Sequence, residues 1–328
     1  MKSLSFLHTA LALSTAVGLA GCGAPLAAPG TVTQSRPIAT EAGRAGPWML
    51  PEAKSEDLLY ISDSLAGNVY VYAYPAGKLV GTLTGFQSPE GDCVDKSGDV
   101  FVTNYAAQNI LEYAHGGTSP IAILTDPYYY SPEDCSVDST TGNLAVTNAS
   151  TISGYPGSVA IYADARGTPA QYFDDSIFFY RYCSYDHQGN LWIDGNGFTR
   201  HKEYFALAEL SSGSDQFSII KLNQHVAAPG GVQWAGRYLA VGDADKDLIY
   251  QFAIKGRTGT KAGETQLDAS GPTAQFWIQA KTVIVPNLDK DSKQKGKVGF
   301  YSYPKGGAAI KTINGFKSPD GATVSLAQ

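Results

Sequence analysis

The stretch Ser88–Asn104, SPEGDCVDKSGDVFVTN, recurs in altered form along most of this chain, and that recurrence limits the available folds more than any other feature. It opens on a Ser-Pro-acid-Gly turn and runs into a short strand. It then reverses at Lys96–Asp99 and returns as the alternating strand Val100–Thr103. Six copies align without gaps on the residue after each turn, starting at Pro89, Pro132, Tyr180, Pro229, Pro272 and Pro319. The starts are 43, 48, 49, 43 and 47 residues apart. One such unit cannot bury an apolar face alone, so successive units must pack on one another.

The remainder of each unit has the same character. Second strands follow Gly turns at Val100–Thr103, Leu144–Thr147 and Leu191–Ile193, and at Tyr238–Val241 and Thr282–Val285. Third strands are predicted at Asn109–Tyr113, Ser158–Tyr162, Ala206–Leu210, Leu248–Phe252 and Lys297–Tyr301, and fourth strands include Ile121–Leu124 and Ala309–Ile313. Apolar and polar residues alternate at period two through most of them, and no ten-residue stretch after the first segment carries a helical period. A strand-only repeat in the forties predicts an all-β, six-bladed β-propeller with four-stranded antiparallel blades. Pro319–Leu326 is a first strand with nothing after it, whereas Leu58–Ser62, Asn68–Tyr74 and Leu79–Leu83 lack a first strand. Joined, they complete one blade and close the ring, which removes the free sheet edges.

Composition fits that outline: 36 Gly, 20 Tyr and 13 Phe, with only 16% charged residues, suit short strands joined by tight turns. The net charge of −6 comes with no basic run, so no phosphate-tracking groove is expected and nucleic acid is excluded as a partner. The chain is read as a monomer.

The propeller is assigned to residues 55–328. Before it, Lys2 and the apolar Leu4–Ala20 make a signal-type segment, too short and too rich in Ser and Thr for a membrane span. The segment ends in Leu19-Ala20-Gly21-Cys22, which resembles the bacterial lipobox. That resemblance implies a signal peptide over 1–21, lipidation of Cys22 and attachment to the cell envelope. Gly23 is not the Asp of an inner-membrane retention signal, so the outer membrane is the expected address. Residues 22–54 have the Ala/Pro/Gly composition of a tether, with Trp48, Met49 and Leu50 expected to dock on the propeller.

The wording of the unit, Pro-x-Gly, apolar strand, Asp, Gly-Asn, apolar strand, Asn or Asp, resembles the NHL-repeat propellers from about Leu58 to Gln328. The match is best over Ser88–Tyr113 and is a likeness of fold. Propellers of this kind host binding modules and enzymes, so function must be argued from the site.

First strands begin and second strands finish at the same end of the axis. That end collects Glu90, Glu133, Arg181 and Asp320 from the first set. From the second set it collects Asp63, Asn104, Asn148, Asp194, Asp243 and Asn287. The Tyr128-Tyr129-Tyr130 and Phe178-Phe179-Tyr180 runs, with Tyr182, enter first strands at this end too. Rings beside oxygen acceptors make a platform for a carbohydrate or small aromatic ligand. The candidate ligand-binding set is Glu90, Glu133, Arg181, Asp320, Tyr129 and Tyr182, and the partner is a small molecule, a carbohydrate or an envelope protein. Inter-blade packing is the competing role for the rings. Turn chemistry and strand-end capping are the competing roles for the acids and amides.

Converging oxygens suit a hard cation such as calcium, and the acid ring is similar to that of the gluconolactonase and paraoxonase-type propellers. That likeness implies a metal-dependent lactonase, esterase or lyase, with Glu90, Glu133, Asn148, Asp243 and Asp320 as metal candidates and Glu90 and His201 as catalytic candidates. A ligand-binding module without catalysis and a plain scaffold are the alternatives. Convergence of those five residues on one point separates the enzyme from the others. Of the cysteines after Cys22, Cys135 and Cys183 share a repeat position. Cys93 is one position out of phase with Cys135, a parity that lets those two either face each other or face apart.

Overall fold

The computed structural model describes residues 46–328 except 129, 152–153, 201, 270, 273 and 289–295. The expected signal segment, Cys22, Tyr129 and His201 therefore lie outside the described residues.

The chain forms six antiparallel sheets of four core strands each, arranged as a six-bladed β-propeller. Blade one is the composite predicted from the two ends. Pro319–Ser325 pairs antiparallel with Leu58–Asp63, and Asn68–Ala73 and Lys78–Thr84 follow outward. Blades two to five have innermost strands Pro89–Val94, Tyr130–Val137, Phe179–Tyr185 and Pro229–Ala235, and blade six has Trp277–Gln279. Each innermost strand touches the next around the ring, and Trp277–Gln279 returns to Pro319–Ser325.

Burial explains the strand sequences. Second strands are sandwiched between neighbouring blades on both faces, so Leu58–Asp63 and Val100–Asn104 are buried at every position. An outermost strand such as Pro120–Thr125 is mostly exposed. Each apolar cluster sits between two blades, not inside one. Tyr60 and Val71 of blade one meet Val100 and Val102 of blade two, and Ile284 and Phe300 of blade six meet Leu59 and Val324 of blade one. Ring closure is thus also core formation.

Three boundaries differ from expectation. In blade six the innermost strand is Trp277–Gln279, not a strand from Pro272, and the outermost is Lys311–Phe316, not Ala309–Ile313. The hairpin after Trp277–Gln279 has two loop residues, 280–281. The assigned tether also ends earlier than residue 54. Trp48–Met49 pairs with Gly81–Thr82 on the outside of blade one, and a 3₁₀ turn, Pro51–Ser55, leads into the ring.

Candidate functional site

The innermost strands are kinked where they begin. Pairing registers shift between Pro89↔Asn104 and Asp92↔Val102, between Pro132↔Asn148 and Asp134↔Thr147, and between Tyr180↔Gly195 and Cys183↔Ile193. The same shift lies between Pro319↔Asp63 and Ala322↔Ile61. Glu90, Glu133, Arg181 and Asp320 each stand in one of these irregularities, where a bulge re-aims the side chain. A hydroxyl from the preceding blade fixes three of them: Ser62 Oγ donates to the Glu90 carbonyl, Thr103 Oγ1 to that of Glu133 at 3.1 Å and Thr147 Oγ1 to that of Arg181 at 2.6 Å. The kinks are tight, because a Cβ on Gly91 would collide with Asp134.

These four side chains form one electrostatic unit. An Arg181 guanidinium nitrogen donates to Glu133 Oε1 at 2.6 Å, with the two side chains 35% and 13% exposed. Burial, then Asp320, then Glu133 push the Glu90 carboxyl up to about 9, so at neutral pH it is a protonated acid that can donate as well as accept. Ser88 Oγ donates to its Oε1 at 3.0 Å. Asp320 is pushed up to about 6, chiefly by burial, and its buried Oδ2 has no hydrogen-bond partner.

Beside this unit opens a cavity of about 400 Å³ between blades four and five, whose walls include Arg181, Tyr182, Asn196, Glu203, Tyr204 and Asp245. Burial drives the Tyr182 phenol well above its usual range, so it stays a neutral hydroxyl. The Arg181 guanidinium lies 5.3 Å from the Phe179 ring centroid. Phe179 makes edge contacts with Phe178 and Phe198 at 4.9 and 5.7 Å, and Phe198 is 48% exposed. Donors, acceptors and an apolar surface are therefore adjacent.

Other predicted residues point elsewhere. Asn148 donates to Ser158 Oγ within its own blade at 3.2 Å. Asp243 Oδ2 accepts from the Ala227 N–H at 3.0 Å and from Lys246 Nζ at 2.9 Å. Asp63 accepts from the Lys317 and Ser318 N–H groups, Asn104 from that of Gln87, and Asn287 donates to the Gly271 carbonyl. The residues that end these second strands thus tie down chain entering first strands, or a neighbouring strand, instead of ringing the axis. Of the five metal candidates, Asn148 and Asp243 each make local bonds, while Asp243 Oδ1 is buried without a hydrogen-bond partner. Among the described residues, no three or more His, Cys, Asp and Glu are grouped to hold a metal ion.

Asn196, Glu203, Tyr204 and Asp245 were not singled out from sequence. Asn196, Glu203 and Tyr204 belong to the extended hairpin Leu191–Phe198/Glu203–Leu210. The cysteine parity resolves as facing. Cys93 and Cys135 form a disulfide with Cα atoms 5.6 Å apart, and Cys183 is free and buried.

No protein-family model matches the chain, and no curated protein matches it. Solved structures do. A chain in the crystal structure of a nidogen/laminin complex superposes with a TM-score of 0.64 at 14% identity, covering 83% of this chain and 99% of that one. A protein of unknown function from Bacteroides caccae superposes with a TM-score of 0.62 at 11% identity, covering 84% of this chain and 100% of the other. At such identities the likeness is one of fold alone, a fold suited to binding and scaffold modules, and on it the chain is a six-bladed β-propeller.

Proposed function

We propose that this propeller is a binding module for a hydroxyl-rich ligand of carbohydrate type, received at the Arg181 end of the ring. The observation that carries this reading is the bulge quartet beside an open cavity. Arg181 and Asn196 offer a donor and an acceptor at the cavity wall, and the neutral Glu90 acid, Glu133 and Asp320 set the charge around Arg181. The Phe178–Phe179–Phe198 cluster offers an apolar surface for the ring face of a sugar. The lipobox resemblance adds a location: the module is held at the cell envelope through Cys22, so Cys22→Ser is expected to release it from the membrane fraction.

The test is a thermal-shift screen of neutral oligosaccharides followed by calorimetry. A stabilising sugar is expected whose affinity falls about tenfold or more in Arg181→Ala, equivalent to about 1.4 kcal/mol. Sugars that bind Arg181→Ala and the parent protein alike, or a panel with no stabilising sugar, overturn the proposal.

A further inference from the structure

The axial channel is interrupted at mid-depth. Gln275 of blade six reaches across the ring to Asp134 of blade three, to which its Nε2 donates. Its Oε1 accepts from the Ala322 N–H at 2.7 Å. Below this bridge, away from the bulge quartet, lies a separate axial cavity of about 190 Å³. Asp92 and Asp134 stand in its wall near the bridge, and Tyr185, Trp234, Phe276 and Trp277 stand farther down.

Two features of this cavity call for a ligand. Asp92 is only 1% exposed, and although its Oδ2 accepts from the Ser62 N–H at 3.1 Å, its buried Oδ1 has no hydrogen-bond partner. A buried acceptor left unpaired is costly, and native structures pair nearly all of them. Second, among the described residues the wall holds three carboxyl groups, Asp92, Asp134 and Asp186, with His187 and neither Lys nor Arg. Asp186 is already engaged, with the Gln188 and Asn190 N–H groups and the Trp192 indole N–H donating to it, and Asp134 accepts from the Cys183 N–H at 3.0 Å besides Gln275, so the oxygen left over is Asp92 Oδ1. Burial pushes the Asp92 carboxyl well above its ordinary range and Asp134 up to about 7, as expected of buried acids that face neither Lys nor Arg, and a cation bound between them favours their charged forms. The aromatic walls favour an organic cation. The Trp234 and Trp277 indole N–H groups are already bonded, to the Gly236 carbonyl and to Gln279 Oε1, which leaves the ring surfaces as what they offer a ligand.

We propose that this cavity is a second binding site, distinct from the Arg181 end, for a small ligand carrying a primary ammonium group. The ammonium donates to Asp92 Oδ1 and to Asp134, and the organic part lies against Trp234 and Trp277. A quaternary ammonium has no N–H to give Asp92, and an alcohol has no charge for the pair, so both bind less well.

Benzylamine, benzyl alcohol and benzyltrimethylammonium are the probes, each titrated into the folded protein at neutral pH while tryptophan fluorescence is followed. Of the four tryptophans, Trp234 and Trp277 stand in this wall and none stands in the wall of the Arg181 cavity, so quenching reports on this site and not on the Arg181 end. Benzylamine is expected to quench saturably, and to bind about tenfold or more tightly than either analogue, a gap of about 1.4 kcal/mol. Asp92→Asn is expected to remove that preference, as is Asp134→Asn, which serves if the first variant does not fold. Equal binding of benzyl alcohol or benzyltrimethylammonium, undiminished benzylamine binding by both folded Asn variants, or the absence of saturable quenching overturns the site. None of these outcomes bears on the oligosaccharide test at the other end.

Discussion

Arg181 shows how one side chain turns a ring of acids into a site. From sequence it was an interruption among carboxylates. In the folded ring it is the counter-charge to Glu133, a residue whose carboxyl is raised by burial and lowered again by this same guanidinium. Replacing it by Gln removes the lowering influence, so the Glu133 pKa rises further above its unfolded value. A carboxyl with a raised folded pKa keeps its full stabilising effect only below the unfolded pKa and loses it as pH rises toward the folded one. The stability deficit of Arg181→Gln is thus expected to be least near about pH 4 and to grow to about 1–3 kcal/mol near neutrality, reduced from the fully buried case because Arg181 is partly exposed. Urea unfolding at several pH values measures this, and a deficit that shrinks with rising pH contradicts the pairing.

Among the elements, the kinked first strand carries the candidate site, and it was only half legible. The turn residues Pro89-Glu90-Gly91 and Pro319-Asp320-Gly321 announce the kink, because Pro and Gly punctuate strands. The hydroxyl that holds each kink lies in the preceding unit, at Ser62, Thr103 and Thr147, and a contact between units leaves no periodic trace. Asn148 and Asp243 carry a related ambiguity. An oxygen at a strand end can serve the axis or cap the adjoining chain, and only the backbone path decides. In blade six the second and third strands fall where expected, and the first begins at Trp277, five residues after the aligned Pro272. Thr147 tests the clamp. Its hydroxyl is fully buried, donates to the Arg181 carbonyl and accepts from the Asp134 N–H at 3.1 Å. Thr147→Val leaves two buried backbone groups short of a partner, and denaturant unfolding is expected to show a loss of about 1–3 kcal/mol. A loss within error of zero removes the clamp from the account.

For the whole molecule, closure and site formation are one event. The last strand, Pro319–Ser325, completes blade one and in doing so carries Asp320 next to Glu90 of blade two. The repeat count and the unpaired ends made closure readable from the sequence. The electrostatic consequence was not readable, since it depends on how deeply bulge side chains are buried. The same assembly sets Gln275 across the axis to Asp134 and so separates the two ends into independent cavities. The central claim is that closure gathers Glu90, Glu133, Asp320 and Arg181 into one unit, and a carbon-13 NMR titration of the Glu90 carboxyl tests it without any ligand. The account predicts a midpoint near 9 in the native protein, falling in Asp320→Asn as the neighbouring charge is removed. A midpoint near the ordinary 4.5, unchanged by Asp320→Asn, would contradict it.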